Sequence, residues 1–377
     1  MKKNTFTFKP LLLVSTLLLL QIFTLNAQLL KLPDGGVNLK SKVARTVGVT
    51  DIEVSWDAPG VKGREGKIWG TTIAPYGFTV LGFGSLGESP WRAGANESTT
   101  VSFSTDVTIN GKKLAAGKYG FFIALYPDSC VLIFNQNTAG WGSYFYNSTL
   151  DVLRVPTIQQ KGQKESKERL EYTFSKHADR SVEVALEWEF WRIPFVVEVD
   201  LQQTTLASIR SQMSGAMGFD PPSLEAAAAW CAQNNTNLDQ ALVWITTAVD
   251  PSLGGITTFN ALSTKANILT KMNKALEAEK IMQSAIENAT ANELHRYGRQ
   301  LLTERKIKEA FEVFDKNYKK QNGAWPTNAG MMRAYSATGD LKKALTHAKA
   351  ALLQAPNQES KTVLEQAIRT LEAGKPL

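Results

Sequence analysis

The chain has 377 residues, 43% hydrophobic, 20% charged and 9% aromatic, a length that accommodates two domains, each able to bury its own core. Its formal charge of +7 is interspersed with acids along the sequence, whereas a nucleic-acid partner needs a concentrated basic face; none is expected. Two cysteines and three histidines without metal-ligand spacing imply no zinc site, and no metal or other cofactor is expected.

Lys2, Lys3 and Lys9 flank the start of an apolar run from Leu11 to Leu25, and Asn26-Ala27 places a small residue before Gln28. A charged start, roughly 15 apolar residues and a small residue at the exit are the pattern of a secretory signal. The run falls short of the roughly 20 residues of a bilayer span, and Ser15, Thr16 and Gln21 dilute it. Residues 1–27 are therefore expected to be a signal peptide of a periplasmic or secreted protein of a Gram-negative bacterium. The alternative is an uncleaved anchor; after signal removal no stable membrane insertion is expected. Loss of the three lysines would leave a charge near +4.

Residues 40–201 carry period-two alternation. Ile52, Val54 and Trp56 alternate with polar residues, as do Val101 and Phe103, then Val107 and Ile109 before Asn110-Gly111. That dipeptide predicts a tight hairpin, because both central positions of a type I′ turn need positive φ. Further strands are expected at 119–125, 130–135, 169–174, 181–191 and 195–201. In one of them Val182, Val184, Leu186, Trp188 and Phe190 share a face, with Glu183, Glu187 and Glu189 opposite. One dry and one wet face is the antiparallel signature, so this part is expected to be an antiparallel, jelly-roll-like β-sandwich.

Residues 202–222 change composition toward Gln, Thr, Ser, Gly and Met and end in Pro221-Pro222, which predicts a connecting helix or linker. Helical periodicity then holds over 223–377. Ala241, Ala278, Ala310 and Ala344 lie 37, 32 and 34 residues apart, and twelve residues before each stand Ala229, Ala266, Gly298 and Met332. A period near 34 marks stacked helical hairpins, and antiparallel helices approach closely where both side chains are small; Met332 departs from that rule. Asn237 and Asp340 are expected as N-caps, Pro251 and Pro356 as stops. A last stripe of Val363, Leu364, Ala367, Ile368 and Leu371, closed by Gly374, predicts a capping helix over the end of the array. The fold class is thus α+β in two domains, with an all-α repeat array after the sandwich. A disulfide between Cys130 and Cys231 would have to cross the junction, so two buried thiols are expected.

The polar residues most suited to chemistry lie in the β part. They run Ala58-Pro-Gly-Val-Lys-Gly-Arg64, Lys67-Ile68-Trp69-Gly70, Pro75-Tyr76-Gly77, and Trp91-Arg-Ala-Gly-Ala-Asn-Glu97 followed by Ser98-Thr-Thr100. Together with VLRV at 152–155 and LEWE at 186–189, this pattern resembles the bacterial DUF2911 family, a domain of unknown function. The helical array in turn is similar to tetratricopeptide repeats, which implies a protein or peptide partner. The chain departs from the DUF2911 pattern at 78–90, an insertion between PYG and WR that can cover or reshape a neighbouring site. Met217-Gly218-Phe219 and the helix after it are similar to a ubiquitin-associated domain, but the first repeat hairpin explains the same residues.

Arg92 and Glu97 are placed to pair, with Asn96 offering both donor and acceptor. Trp69, Tyr76, Trp91 and Trp141 are candidates to line a cleft that stacks on a sugar or aromatic ring. Equally, Arg, Asn and Glu at a strand entrance satisfy loop backbone groups, and Trp fills sandwich cores. No nucleophile elbow, zinc-protease motif or phosphate loop occurs, so no catalytic residue is expected. The expected function is an exported binding or scaffold protein, the repeats holding a protein or peptide and the sandwich a small-molecule or sugar ligand or a docking surface. The alternative is a carbohydrate-active or other hydrolytic enzyme, using Asp57 and Glu97 as a carboxylate pair.

Overall fold

The structure is a computed structural model that describes residues 37–82 and 87–377. The expected signal peptide lies outside the described residues. The described residues divide into two compact units, the first up to Val199 and the second Asp200–Leu377.

In the first unit two antiparallel sheets enclose one core. The first sheet contains β1 (Leu39–Val47), β2 (Thr50–Ala58), β5 (Ala95–Phe103), β8 (Gly117–Leu125), β9 (Cys130–Asn135) and β10 (Asp151–Thr157), side by side in that order. The second contains β12 (Lys167–Ala178), β13 (Ser181–Glu189), β14 (Trp191–Glu198), β6 (Val107–Ile109) and β7 (Lys112–Leu114), with β11 (Gln160–Lys161) pairing beside β14. The alternation sends Ile52, Val54, Val101 and Phe121 from one sheet, and Val184, Leu186, Trp188 and Phe195 from the other, into a shared interior. The isolated bridge between Gly60 and Arg169 links the sheets, and the sandwich is not closed.

The Asn110-Gly111 turn has φ of 46° and 79° and joins β6 to β7 as the dipeptide requires. The expected face of β13 needs two corrections. Trp188 pairs with Trp191 across a tight turn, so the chain reverses at Glu189 and Phe190 and takes Phe190 out of the apolar row. Of the glutamates expected in water, Glu183 and Glu187 lie beneath cations, and Glu189, 3% exposed, accepts from the Gly66 N–H. Glu183, 7% exposed, is 2.8 Å from both Arg192 and Lys176, and Glu187 is 3.1 Å from Arg192. Arg192 comes from β14, whose register places it opposite Glu187. Among the described residues of the insertion at 78–90, β3 (Thr79–Val80) pairs with β4 (Glu88–Ser89) in a small ribbon. At its base Phe78 packs with Phe122, Ala124 and Ile133, which lie outside the main core.

The second unit contains ten helices among the described residues. The stretch 202–222 is α1 (Leu201–Met213), capped by Asp200, followed by a 3-10 turn. Leu206, Ile209 and Met213 of α1 pack against the first repeat core. Four helical hairpins follow: α2 (Pro221–Gln233) with α3 (Leu238–Ala248), α4 (Phe259–Lys271) with α5 (Ala275–Asn288), α6 (Ala291–Thr303) with α7 (Ile307–Lys320), and α8 (Thr327–Ala337) with α9 (Leu341–Leu353). Helix α10 (Gln358–Glu372) places Leu364, Ala367 and Leu371 on the last core, while Val363, counted in the same stripe, is exposed.

All four periodic alanines are buried. Their partners differ in detail. Ala229 is only half-buried and its neighbours Ala227 and Ala228 fill the crossing. Gly298 makes room for an aromatic ring: a Cβ there would stand 2.6 Å from Phe314. A Cβ on Gly330 would stand 2.5 Å from the same ring, so Phe314 sits between α6 and α8, whose glycines flank it. Asp340 caps α9 through the Lys343 N–H at 3.1 Å. Asn237 stands at the N-cap of α3, but its side chain makes no capping bond: it is left-handed, at φ 51°, and its Oδ1 accepts from Arg210 at 3.0 Å. A reciprocal capping box between Thr290 and Glu293 starts α6.

Candidate functional site

The seven residues singled out in the β unit do not share one environment. Trp69 and Trp91 belong to an indole cluster: Trp69 stacks on Trp191 at 4.5 Å, and Trp91 lies parallel to Trp188 at 6.2 Å. Trp69 also meets Trp91 edge-on at 5.6 Å. Trp91, 3% exposed, and Trp188, 0% exposed, belong to the core, and Trp69 packs partly buried against it. The indole N–H groups of Trp69 and Trp188 are buried with no partner. Tyr76 lies over Gly70, whose φ of 76° and missing Cβ make room for the ring. Trp141 stands on the loop after β9 and is 54% exposed. The four aromatic residues do not share one cleft.

Arg92 and Glu97 do not pair with each other. The Arg92 Nη1 donates to the Asn96 carbonyl at 3.0 Å, and its guanidinium lies 5.7 Å from the Tyr144 ring centroid. Gly142 permits this approach, since a Cβ there would sit 2.6 Å from Arg92. Burial pushes the Arg92 guanidinium below its usual value, against the opposing pull of Tyr144. Glu97 instead pairs with Lys40 at 2.7 Å. Strand register explains the choice: β1 sets Lys40 opposite Asp57 of β2, and Asp57 opposite Ala95 of β5. Lys40 therefore reaches across β2 to the first residues of β5. Asn96, at φ 49°, accepts from Asn38 at 3.1 Å.

This register builds a polar cleft of about 210 Å³ lined by Lys40, Asp57, Glu97, Thr100, Lys118 and the loop at Gly140. Of the seven candidates only Glu97 lines it. Asp57 is 5% exposed; burial raises its carboxyl above the usual range, and Glu97 adds to that. Lys40, Asn96 and the Glu97 backbone pull the other way. Ser98 anchors the covering loop, its Oγ bonding the Gly140 and Gly142 carbonyls at 3.0 and 2.5 Å. Among the described residues of 78–90, none lines the cleft. Lys40 and Lys118 were not legible as site residues, because only the pairing of β1 with β2 and of β5 with β8 brings them to this cleft.

Backbone strain gathers in the same motifs. Lys62, Ala93, Asn96 and Glu189 are non-glycine residues with φ between 49° and 53°. Such conformations persist where the surroundings over-determine them. Tyr172 donates to the Ala93 carbonyl at 2.8 Å, and the buried Glu189 carboxylate accepts from the Gly66 N–H.

In the helical unit a groove of about 790 Å³ opens between α4, α5 and α6. Phe259, Asn267, Met282, Arg296, Tyr297 and Gln300 are among its lining residues. One side is closed by Phe259 meeting Tyr297 edge-on at 5.7 Å. The far ends of the hairpins are tied by Lys320, which donates to the Ala289 carbonyl at 3.1 Å, and by Asn317, which donates to that of Ala291 at 2.9 Å. Mixed polar and aromatic lining on a frame tied at its ends suits an extended chain with both backbone and side chains to satisfy. Among the described residues no group of three or more His, Cys, Asp or Glu is placed to hold a metal. No helix among them is long and apolar enough to cross a membrane.

Residues 39–197 match the family model of DUF2911, described as a protein of unknown function. The resemblance carried by the motifs thus extends over nearly the whole β unit. Among solved structures the chain is similar to a tetratricopeptide repeat protein from Parabacteroides merdae. The identity is 16%, covering 46% of this chain and 69% of that one, with a TM-score of 0.28; a superposition that loose carries no functional argument. No curated protein matches the chain.

Proposed function

We propose that the protein is an exported binding scaffold, its signal peptide at 1–27 directing it to the periplasm or outside the cell. The helical unit holds a protein or peptide, and the β unit binds a small ligand or docks a partner. The observation that carries this reading is the groove between α4, α5 and α6, large enough for a peptide and framed by hairpins of the repeat type. The β sandwich at 40–201 and the repeats at 223–377 act as two modules joined through 202–222. Retention of an extract protein by the full mature chain, lost when Tyr297→Ala and Arg296→Ala alter the groove, supports it. Equal retention by parent and groove variant would contradict it.

A hydrolytic reading rests on a separate observation. Asp57, with its carboxyl raised by burial, and Glu97 line one cleft, the division of roles that an acid and a base require. It predicts turnover of a glycoside or ester substrate that Asp57→Asn abolishes without loss of fold. Absence of turnover by the parent across a panel of such substrates refutes it. The indoles do not form a sugar platform here, and we therefore rank binding first.

A further inference from the structure

The polar cleft of the β unit owes its shape to an irregularity in β5. Ser55 of β2 pairs with Thr100, but Asp57 pairs with Ala95, so Trp56 alone faces residues 96–99. Extra chain on one strand re-aims its side chains. Here it turns Asn96, held at φ 49°, and Glu97 over Asp57. The Asn96 side chain and the Glu97 N–H both bond the Asp57 carboxylate. The facing wall is the loop after β9. It lies down on β8 at Gly120, where a Cβ would collide with the Asn137 carbonyl, and Ser98 ties it at Gly140. The Asn135 and Asn137 side chains each accept from the backbone N–H two residues on, at 2.9 and 3.2 Å. Both walls are thus held in place by the chain itself.

Two carboxylates share this cleft. Lys40 bonds Glu97 at 2.7 Å, yet burial, seconded by Glu97, holds the Asp57 carboxyl above its usual range despite Lys40. A positive group set between the two acids would relieve both. Lys118, on β8, lines the cleft two strands away from β2. Its exposed ammonium has no ion-pair partner among the described residues. The volume of about 210 Å³ lies below the roughly 300–1,000 Å³ of drug-sized pockets, so the occupant is one small polar molecule. No exposed indole lines the cleft, and an uncharged sugar would answer neither the paired acids nor Lys118. We propose that the cleft binds a small zwitterion of the free amino-acid class, its ammonium between Asp57 and Glu97 and its carboxylate at Lys118. This inference rests on the reading that the β unit binds a small ligand. The orientation is fixed by charge, since the reversed molecule would set like against like at both ends.

The test titrates the full mature chain calorimetrically with the individual protein amino acids, then carries the tightest of them through analogues and variants. Its N-acetyl derivative and its carboxyl amide should each lose about tenfold or more in affinity. Lys118→Met should weaken the free amino acid by a similar factor but leave the amide unaffected, and Asp57→Asn should leave the N-acetyl form unaffected. Lys118 is exposed, so its variant should keep the parent's melting temperature, and the test stands even where Asp57→Asn does not fold. Unchanged affinity in Lys118→Met would overturn the cleft as the seat of the ligand. An N-acetyl derivative that binds as tightly as the free amino acid would overturn the ammonium seat. Binding of no amino acid would overturn the zwitterion, and a parallel titration with glucose, galactose and N-acetylglucosamine then judges the underlying reading. Sugar binding lost with Thr100→Val would leave the small-ligand reading standing without the zwitterion, and no binding in either series would overturn both.

Discussion

The two helical glycines that flank Phe314 give a prediction whose sign differs from the ordinary expectation. Replacing a helical glycine by alanine normally stabilises by about 1 kcal/mol, because alanine has less backbone freedom to lose. Here the new methyl would stand 2.6 Å from the Phe314 ring at position 298 and 2.5 Å at position 330, against an ordinary contact of 3.4–4 Å. The ring must retreat by about 1 Å, yet retreat from one glycine drives it toward the other. Overpacking of this kind costs about 1–3 kcal/mol, so Gly298→Ala is expected to lose a net 1 kcal/mol or so. For a unit of this size the melting temperature should fall by about 2–4 °C, followed through the helical circular dichroism band. In a Phe314→Leu background the clash disappears, and Gly298→Ala should become neutral or stabilising. A rise in melting temperature for Gly298→Ala in the parent would refute the proposed close approach.

Three further outcomes follow from the geometry. Glu97→Ala should cost under about 1 kcal/mol, as expected of an exposed pair with Lys40. Arg92→Ala should cost about 1–3 kcal/mol because it leaves the Asn96 carbonyl unsatisfied, and denaturant melts that rank the two in reverse would contradict this. His295, faced by Arg299 and Arg333, is held at about 4 in the folded chain against a usual 6.5. Between those values the unfolded chain binds more protons, so stability falls as the pH drops through the window, by up to about 3 kcal/mol. His295→Gln should flatten that dependence, and an unchanged pH profile would remove His295 as its source. Burial pushes the Cys130 thiol up to about 12, so it should resist alkylation near neutral pH until the chain unfolds; rapid modification of the native protein would show the strand to be open.

Much of this architecture was legible because its physics is local. Alternation at 52–56, 101–103 and 119–125 needs only a period of two, and Asn110-Gly111 dictates its own turn. The alanines at 241, 278, 310 and 344 mark the buried faces of the second helices of the four hairpins. The details that failed depend on partners remote in sequence. Glu183 and Glu187 look solvated until β14 brings Arg192 over them, and Gly298 looks like a partner for Ala310 until Phe314 fills the space. The site suffered most. Arg92 and Glu97 lie five residues apart, yet the strained turn at Ala93 and Asn96 separates them, and register across three strands joins Glu97 to Lys40. The tryptophans were recognisable as a group, but no periodicity tells a core indole from one that lines a cleft.

The central claim is that the helical groove, and not the β cleft, carries the main binding function. Photocrosslinking tests it most directly: a benzophenone side chain replaces Gln300 in the groove or, in a separate protein, Thr100 in the cleft, and each full-length chain is irradiated in its own cell. The account predicts a discrete crosslinked product from position 300 that is lost when Tyr297→Ala alters the groove, and none of comparable yield from position 100. A product from position 100 alone would contradict it.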